Sequence, residues 1–151
     1  MKIQIQESLP FACKYVPEME DPEELFQFLK KRVRYKNDPK GVELLQTMPT
    51  MILGKRWGTP GYGDCDCFVI TTVASMICQG WDNIYIALVA RESKRPVHIY
   101  TVIYWDGKRQ VFDLTNRAFD YERDGWNGKT RYNFIQEIPV RWENWKNLRL
   151  N

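Results

Sequence analysis

The sequence predicts a single α+β domain spanning residues 1–151. Three observations lead there. Apolar residues at helical spacing dominate the first half, period-two alternation dominates the second, and Asp106-Gly107 sits where a hairpin between two alternating runs needs its turn. Helices first and antiparallel strands later is the order of an α+β fold. At 151 residues, 44% hydrophobic and 14% aromatic, the chain can bury one core without staples. No repeat, low-complexity tract or composition break divides it.

Taken in order, Lys2 to Glu7 alternates polar and apolar and reads as a short edge strand or an extended arm. "DPEELFQFLKKRVRYK" is an amphipathic helix, with Asp21 as N-cap, Pro22 at the first helical position, and Leu25, Phe28, Leu29 and Val33 on one side. "NDPKG" breaks the chain, and "VELLQTM" offers a short helix before Pro49. Lys55 to Gly63 is a glycine- and proline-rich loop. From Asp64 to Gln79 the pattern is helical, and Gly80 is its stop. "NIYIALVAR", "VHIYTVIYW" and "RQVFDLT" are strands, the last two joined by the Asp-Gly turn, and "RYNFIQEIPVRW" offers a further one.

Charge and hydropathy remove some function classes. The net charge is only +3, and the densest basic run, "LKKRVRYK", follows Asp21, Glu23 and Glu24, so it reads as a solvated helix face and no nucleic-acid partner is expected. "MKIQIQESLPF" lacks the apolar core and cleavage site of a signal peptide, and no run approaches a membrane span. The expectation is a cytoplasmic protein whose four cysteines, Cys13, Cys65, Cys67 and Cys78, are reduced thiols. "DYERDGWNGKTRYNF" and "VRWENWKNL" have a composition common at interfaces and equally common in aromatic cores, so they assign no partner.

The chemistry centres on "GYGDCDC". A zinc site from Cys65, Cys67, Cys78 and His98 lacks paired C-x-x-C spacing. On a helix Cys65 and Cys67 point about 200° apart, whereas Cys67 and Cys78 lie within about 20° of each other on an apolar face. Cys67 and Cys78 therefore read as small core residues, and no metal is expected. A redox pair fails on the same spacing. Cys65 stands apart. It occupies the first turn of the helix, where unpaired N–H groups and the macrodipole favour a thiolate, the nucleophilic form.

A nucleophilic thiol needs a base, and the chain has one histidine, His98. With Asp106-Gly107 as the turn, Tyr100 faces Asp113 and His98 faces Thr115. His98 and Asp113 are then diagonal neighbours on one sheet face, roughly 7–8 Å apart or somewhat less at Cβ. Asp106, about 26 Å along the strand, is out of reach. A thiol at a helix start, a strand histidine and an aspartate beside it follow the logic of nucleophile, base and orienter.

"GDCDCFVI" followed by "VHIYTVIYWDGKRQVFDLT" resembles the core of the transglutaminase-like superfamily of papain-like thiol enzymes. The pattern there is G-x-C-x-D-[FY]-[AS] at a helix start, H-x-[WY]-[VT]-x-[VI] on a strand and D-x-T after a hairpin. "RVRYKNDPKGVELLQTM" is similar to the lead-in of small bacterial and phage-associated members. The resemblance runs from about Leu25 to Thr115 and implies a papain-like fold with Cys65 as nucleophile, His98 as base and Asp113 as third member. Cys67 stands where many members carry Asp, a change expected to affect packing more than chemistry. Trp57 and Tyr62 flank the site as lining for a substrate groove or as loop aromatics packed on the core. The implied reaction is thiol acyl transfer on a peptide or protein amide, resolved by water (peptidase, amidase or deamidase) or by an amine (transglutaminase), with no metal or organic cofactor. The alternative is a non-catalytic binding or structural module with an assembly partner, for example a phage-associated accessory or particle protein located in the virion.

Overall fold

The computed structural model describes residues 1–54, 60–91, 95–122 and 134–141. Four helices, α1 (Lys2–Tyr15), α2 (Pro22–Lys30), α3 (Met48–Leu53) and α4 (Cys65–Gln79), pack with a sheet of β3 (Ile84–Ala90), β4 (His98–Trp105), β5 (Lys108–Phe112) and β6 (Phe134–Pro139). Sheet order is β5-β4-β3-β6, antiparallel throughout. Two short strands, β1 (Arg34–Tyr35) and β2 (Tyr62–Gly63), pair in parallel outside it. This mixture of helix and antiparallel sheet is the α+β class.

Helix α4 is the centre of the molecule. Every residue from Asp66 to Ile77 is buried, because α1 and α3 cover one side of the helix and the sheet covers the other. A helix enclosed on all sides needs no polar stripe, which accounts for its nearly continuous apolar sequence. Its ends follow local chemistry. The Asp64 carboxylate accepts from the Cys67 N–H, and Gly80 turns the chain with φ of 77°. Helix α2 also begins as the sequence predicts, with Asp21 Oδ1 accepting from the Glu24 N–H at 2.8 Å and Pro22 in the first turn.

The hairpin has the predicted register. Trp105 pairs Lys108, Tyr104 pairs Arg109 and Thr101 pairs Phe112. Asp106 and Gly107 both take positive φ, 50° and 73°, as a tight primed turn requires. One sheet face joins the α4 core through Ile84, Ile103 and Phe112, and the other gathers Ala87, Val89, Tyr100, Val102 and Val111.

Four expectations are corrected. Lys2–Glu7 is helix, not strand: Ile5, Leu9, Ala12 and Val16 recur at helical spacing and are buried, while Ile3 is 63% exposed. The alternation of Ile3 and Ile5 is too short to separate the two periods. "VELLQTM" forms no helix before Met48. The Asp38 carboxylate instead accepts from the Leu44 N–H at 2.5 Å, and α3 begins at Met48 with Pro49 in its first turn, where no N–H is needed. Helix α2 stops at Lys30 because the next turn opens towards β2, where Arg34 N–H donates to Gly61 O at 2.6 Å. Gly61 has φ of 81°, and a Cβ there would lie 2.2 Å from the Arg32 carbonyl oxygen, so only glycine admits this approach.

The fourth correction concerns the thiols. Cys13 of α1 and Cys78 of α4 form a disulfide, leaving Cys65 and Cys67 free. Cys78 is therefore a cross-link between two packed helices rather than a reduced core filler. Cys67 is fully buried, as its helical projection predicts. Among the described residues no helix is long and apolar enough to cross a membrane.

Candidate active site

Cys65 is the first residue of α4 and is partly accessible. The Ile99 backbone N–H of β4, one residue beyond His98, acts on its sulfur and favours the thiolate, and α4 packs against that strand. The helix start does not produce a low pKa here. Burial, followed by the charges of Asp64 and Asp66 on either side, pushes the Cys65 thiol up to about 11, and the Ile99 N–H only partly offsets them. The expected thiolate stabilisation is thus overturned in the isolated chain, because burial, together with two flanking carboxylates, outweighs the partial charge of one helix terminus.

His98 opens β4, and its Nε2 lies 2.7 Å from Asp113 Oδ2, with the side chains 15% and 3% exposed. Asp113 follows β5 directly. Its second oxygen, Oδ1, accepts from the Thr115 N–H at 2.9 Å and the Thr115 hydroxyl at 2.7 Å. With donors converging on the carboxylate, Asp113 acts as acceptor and His98 Nε2 carries the proton. Thr115 Oγ1 also lies 3.5 Å from His98 Nε2, and the Tyr100 ring stands 5.7 Å from the imidazole. The structure brings His98 and Asp113 into contact and sets Cys65 beside their strand.

No protein-family model matches the chain, and no curated protein is significantly similar to it in sequence. Among solved structures, calcium-bound LapG of Legionella pneumophila superposes over 96% of this chain and 97% of its own, with a TM-score of 0.52 and 14% identity. The two chains share a fold. At that identity the likeness to LapG is one of architecture, extending over essentially the whole of both chains.

Of the two predicted groove residues, Tyr62 lies in β2, half-buried, with its carbonyl accepting from Gln46 Nε2 at 3.3 Å and the Lys36 ammonium 5.9 Å from its ring. Trp57 lies outside the described residues. Sequence reasoning missed Tyr35, which β1 brings to the site. Its ring packs edge-on against Phe68 at 6.2 Å, and burial and the Cys65 charge raise its pKa although the residue is 52% exposed.

Also missed is an acidic cluster. Ligand atoms of Asp64, Asp66 and Cys67 lie within 4.8 Å of one another. Asp66 is only 8% exposed, and its buried Oδ1 has no hydrogen-bond partner. Burial, with Asp64 and Glu43 crowding it, lifts the Asp66 carboxyl to about 9. Cys67 is otherwise engaged, its thiol directed at Leu44 O at 3.2 Å and its sulfur facing the Gln46 N–H at 3.5 Å. The repeated aspartates of "GDCDC" were the available signal, but Glu43 joins them only through the fold.

Proposed function

We propose that this chain is a thiol acyl-transfer enzyme of the transglutaminase-like kind, acting on peptide or side-chain amides with Cys65, His98 and Asp113. The observation that carries the reading is the 2.7 Å contact between His98 and Asp113 at the start of the strand that packs against α4, whose first residue is Cys65. Cys65 gives its proton to His98 and attacks the amide carbonyl. Asp113 holds the imidazole tautomer and stabilises the imidazolium, and His98 passes the proton to the leaving amine. The product is a thioester, which water resolves in a peptidase or amidase and an amine resolves in a transglutaminase. The Cys65 backbone N–H, at the start of α4, is the first donor to the developing oxyanion.

LapG is calcium-bound, and a set of donors suited to such a cation is present in this chain. Asp64, Asp66 and Glu43 offer hard oxygen ligands, and the partnerless buried Asp66 oxygen is what a bound cation would satisfy. These three carboxylates fit calcium better than zinc, since Cys67 already has backbone partners. Bound there, the ion would neutralise the carboxylates that hold the Cys65 thiol up.

Two measurements test the reading. In unreduced protein with calcium, iodoacetamide is expected to label Cys65 selectively near neutral pH, because Cys67 is buried and Cys13 and Cys78 are bonded. Labelling should slow in His98→Ala. Slow labelling of Cys65 that ignores both calcium and His98 would favour the non-catalytic module instead.

The second is the thermal midpoint against pH. Asp66 holds its proton in the fold up to about 9, while the unfolded chain releases it near the ordinary carboxylate value, so the unfolded state binds fewer protons in between. Metal-free protein is therefore expected to lose stability as pH rises from about 4 towards 9. Calcium should restore it. Asp66→Asn should be more stable than wild type without calcium and gain little from it. An equal calcium increment in both proteins would remove the proposed site.

A further inference from the structure

The turn that carries Asp113 is held from a distant part of the chain. Lys30, the last residue of α2, sends its Nζ to Leu114 O at 2.6 Å, across a sequence separation of 84. Leu114 lies between Asp113 and Thr115 and is itself buried. The turn is closed on its other side by Asn116 N–H donating to Asp113 O at 3.0 Å. The Lys30 contact is thus a hydrogen-bonded link from the helical layer to the loop in which Asp113 receives Thr115 and meets His98.

The choice of a lysine is costly at this position. Burial lowers its pKa first, and Arg34 and Arg117 repel it, whereas the attraction comes from Asp113. A neutral donor would satisfy one carbonyl without that cost. What lysine adds is a positive charge beside the turn, attracted to the Asp113 carboxylate while its N–H pins the backbone. A cation at the C-terminus of α2 also suits the helix macrodipole, but that alone would leave the side chain in solvent.

We infer that Lys30 is a positioning residue for the His98–Asp113 pair: by fixing Leu114 O it sets where the Asp113 carboxylate stands relative to the imidazole. The inference rests on the reaction proposed above for its kinetic consequence, though not for its structural one. A displacement of about 1 Å in such a group is enough to cost about a hundredfold in rate, so loss of the anchor should be felt in kcat.

The chain has one histidine, so histidine-selective 15N labelling yields a single imidazole. In wild type the Nε2 proton, held by Asp113, is expected as an exchange-protected signal. Lys30→Met should lose that protection and lower kcat on a fluorogenic peptide-amide library about ten- to a hundredfold with KM little changed. Lys30→Arg should keep both. If the Met variant does not fold, Lys30→Ala, which likewise removes the donor, takes its place in the same comparison. A protected Nε2 proton in the neutral variant overturns the inference whatever the activity. A wild type without turnover, but with protection lost in the neutral variant, removes the proposed reaction and leaves the positioning role standing.

Discussion

Asp113→Asn is expected to lower turnover by about 10³–10⁴-fold while leaving the protein folded. The expectation follows from how the carboxylate is used. Thr115 donates two hydrogen bonds to Oδ1, so an asparagine keeps its carbonyl oxygen there and its NH2 group takes the place of Oδ2. That NH2 then donates to His98 Nε2, which must become an acceptor. The ring proton moves to Nδ1, the nitrogen that has to receive the Cys65 proton in the proposed reaction. The variant is thus trapped in the wrong tautomer with its local geometry intact. Steady-state rates on the peptide-amide library, with circular dichroism as the control for folding, decide it. A loss of less than about tenfold would mean that Asp113 is structural, and the three-residue reading would fail.

The second large effect is on stability. The Cys13–Cys78 bond closes a loop with a sequence separation of 65 and joins α1 to the C-terminal turn of α4. Chain-entropy arithmetic for a loop of that length gives about 4 kcal/mol, a large share of the net stability of an ordinary domain. Urea unfolding with and without reductant, or of Cys13→Ala/Cys78→Ala beside wild type, should show a shift of that order. It should be smaller if reduced α1 stays docked in the unfolded ensemble. Cys65 lies at the opposite end of α4, about 20 Å along the axis, so reduction is expected to act through stability before it acts on the thiol. Titration of four thiols in unreduced native protein, or a shift below about 1 kcal/mol, would remove the cross-link as a stabilising element.

These two effects differ in how far the sequence foretells them. The partnership of His98 with Asp113 follows from local chain geometry, since an Asp-Gly turn and period-two alternation suffice to place both on one sheet face. Asp21 with Pro22 and the Gly80 stop were legible for the same reason, each being a local rule with a local cause. The disulfide was not legible. It depends on α1 packing against α4, and α1 itself was hidden by Ile3 and Ile5, whose spacing of two is that of a strand. The acidic cluster shows a third case. Asp64 and Asp66 are plain in the sequence, yet the rise of the Cys65 pKa depends first on burial, and that of Asp66 on burial and on Glu43, which only the fold supplies. Lys30 reads as one more cation on a solvated helix face until the turn after β5 is seen beside it.

The β4–β5 hairpin has one more consequence. His98 and Asp113 sit at the far end of its ladder, yet their facing is set where the chain reverses, at Asp106 and Gly107. Adding or removing a single residue there would shift the pairing by one and turn Asp113 to the opposite side of the sheet, away from the imidazole. The turn acts as a reading frame for the site. Changes of identity at its two residues alter local strain, whereas a change of length would rewrite which side chains meet.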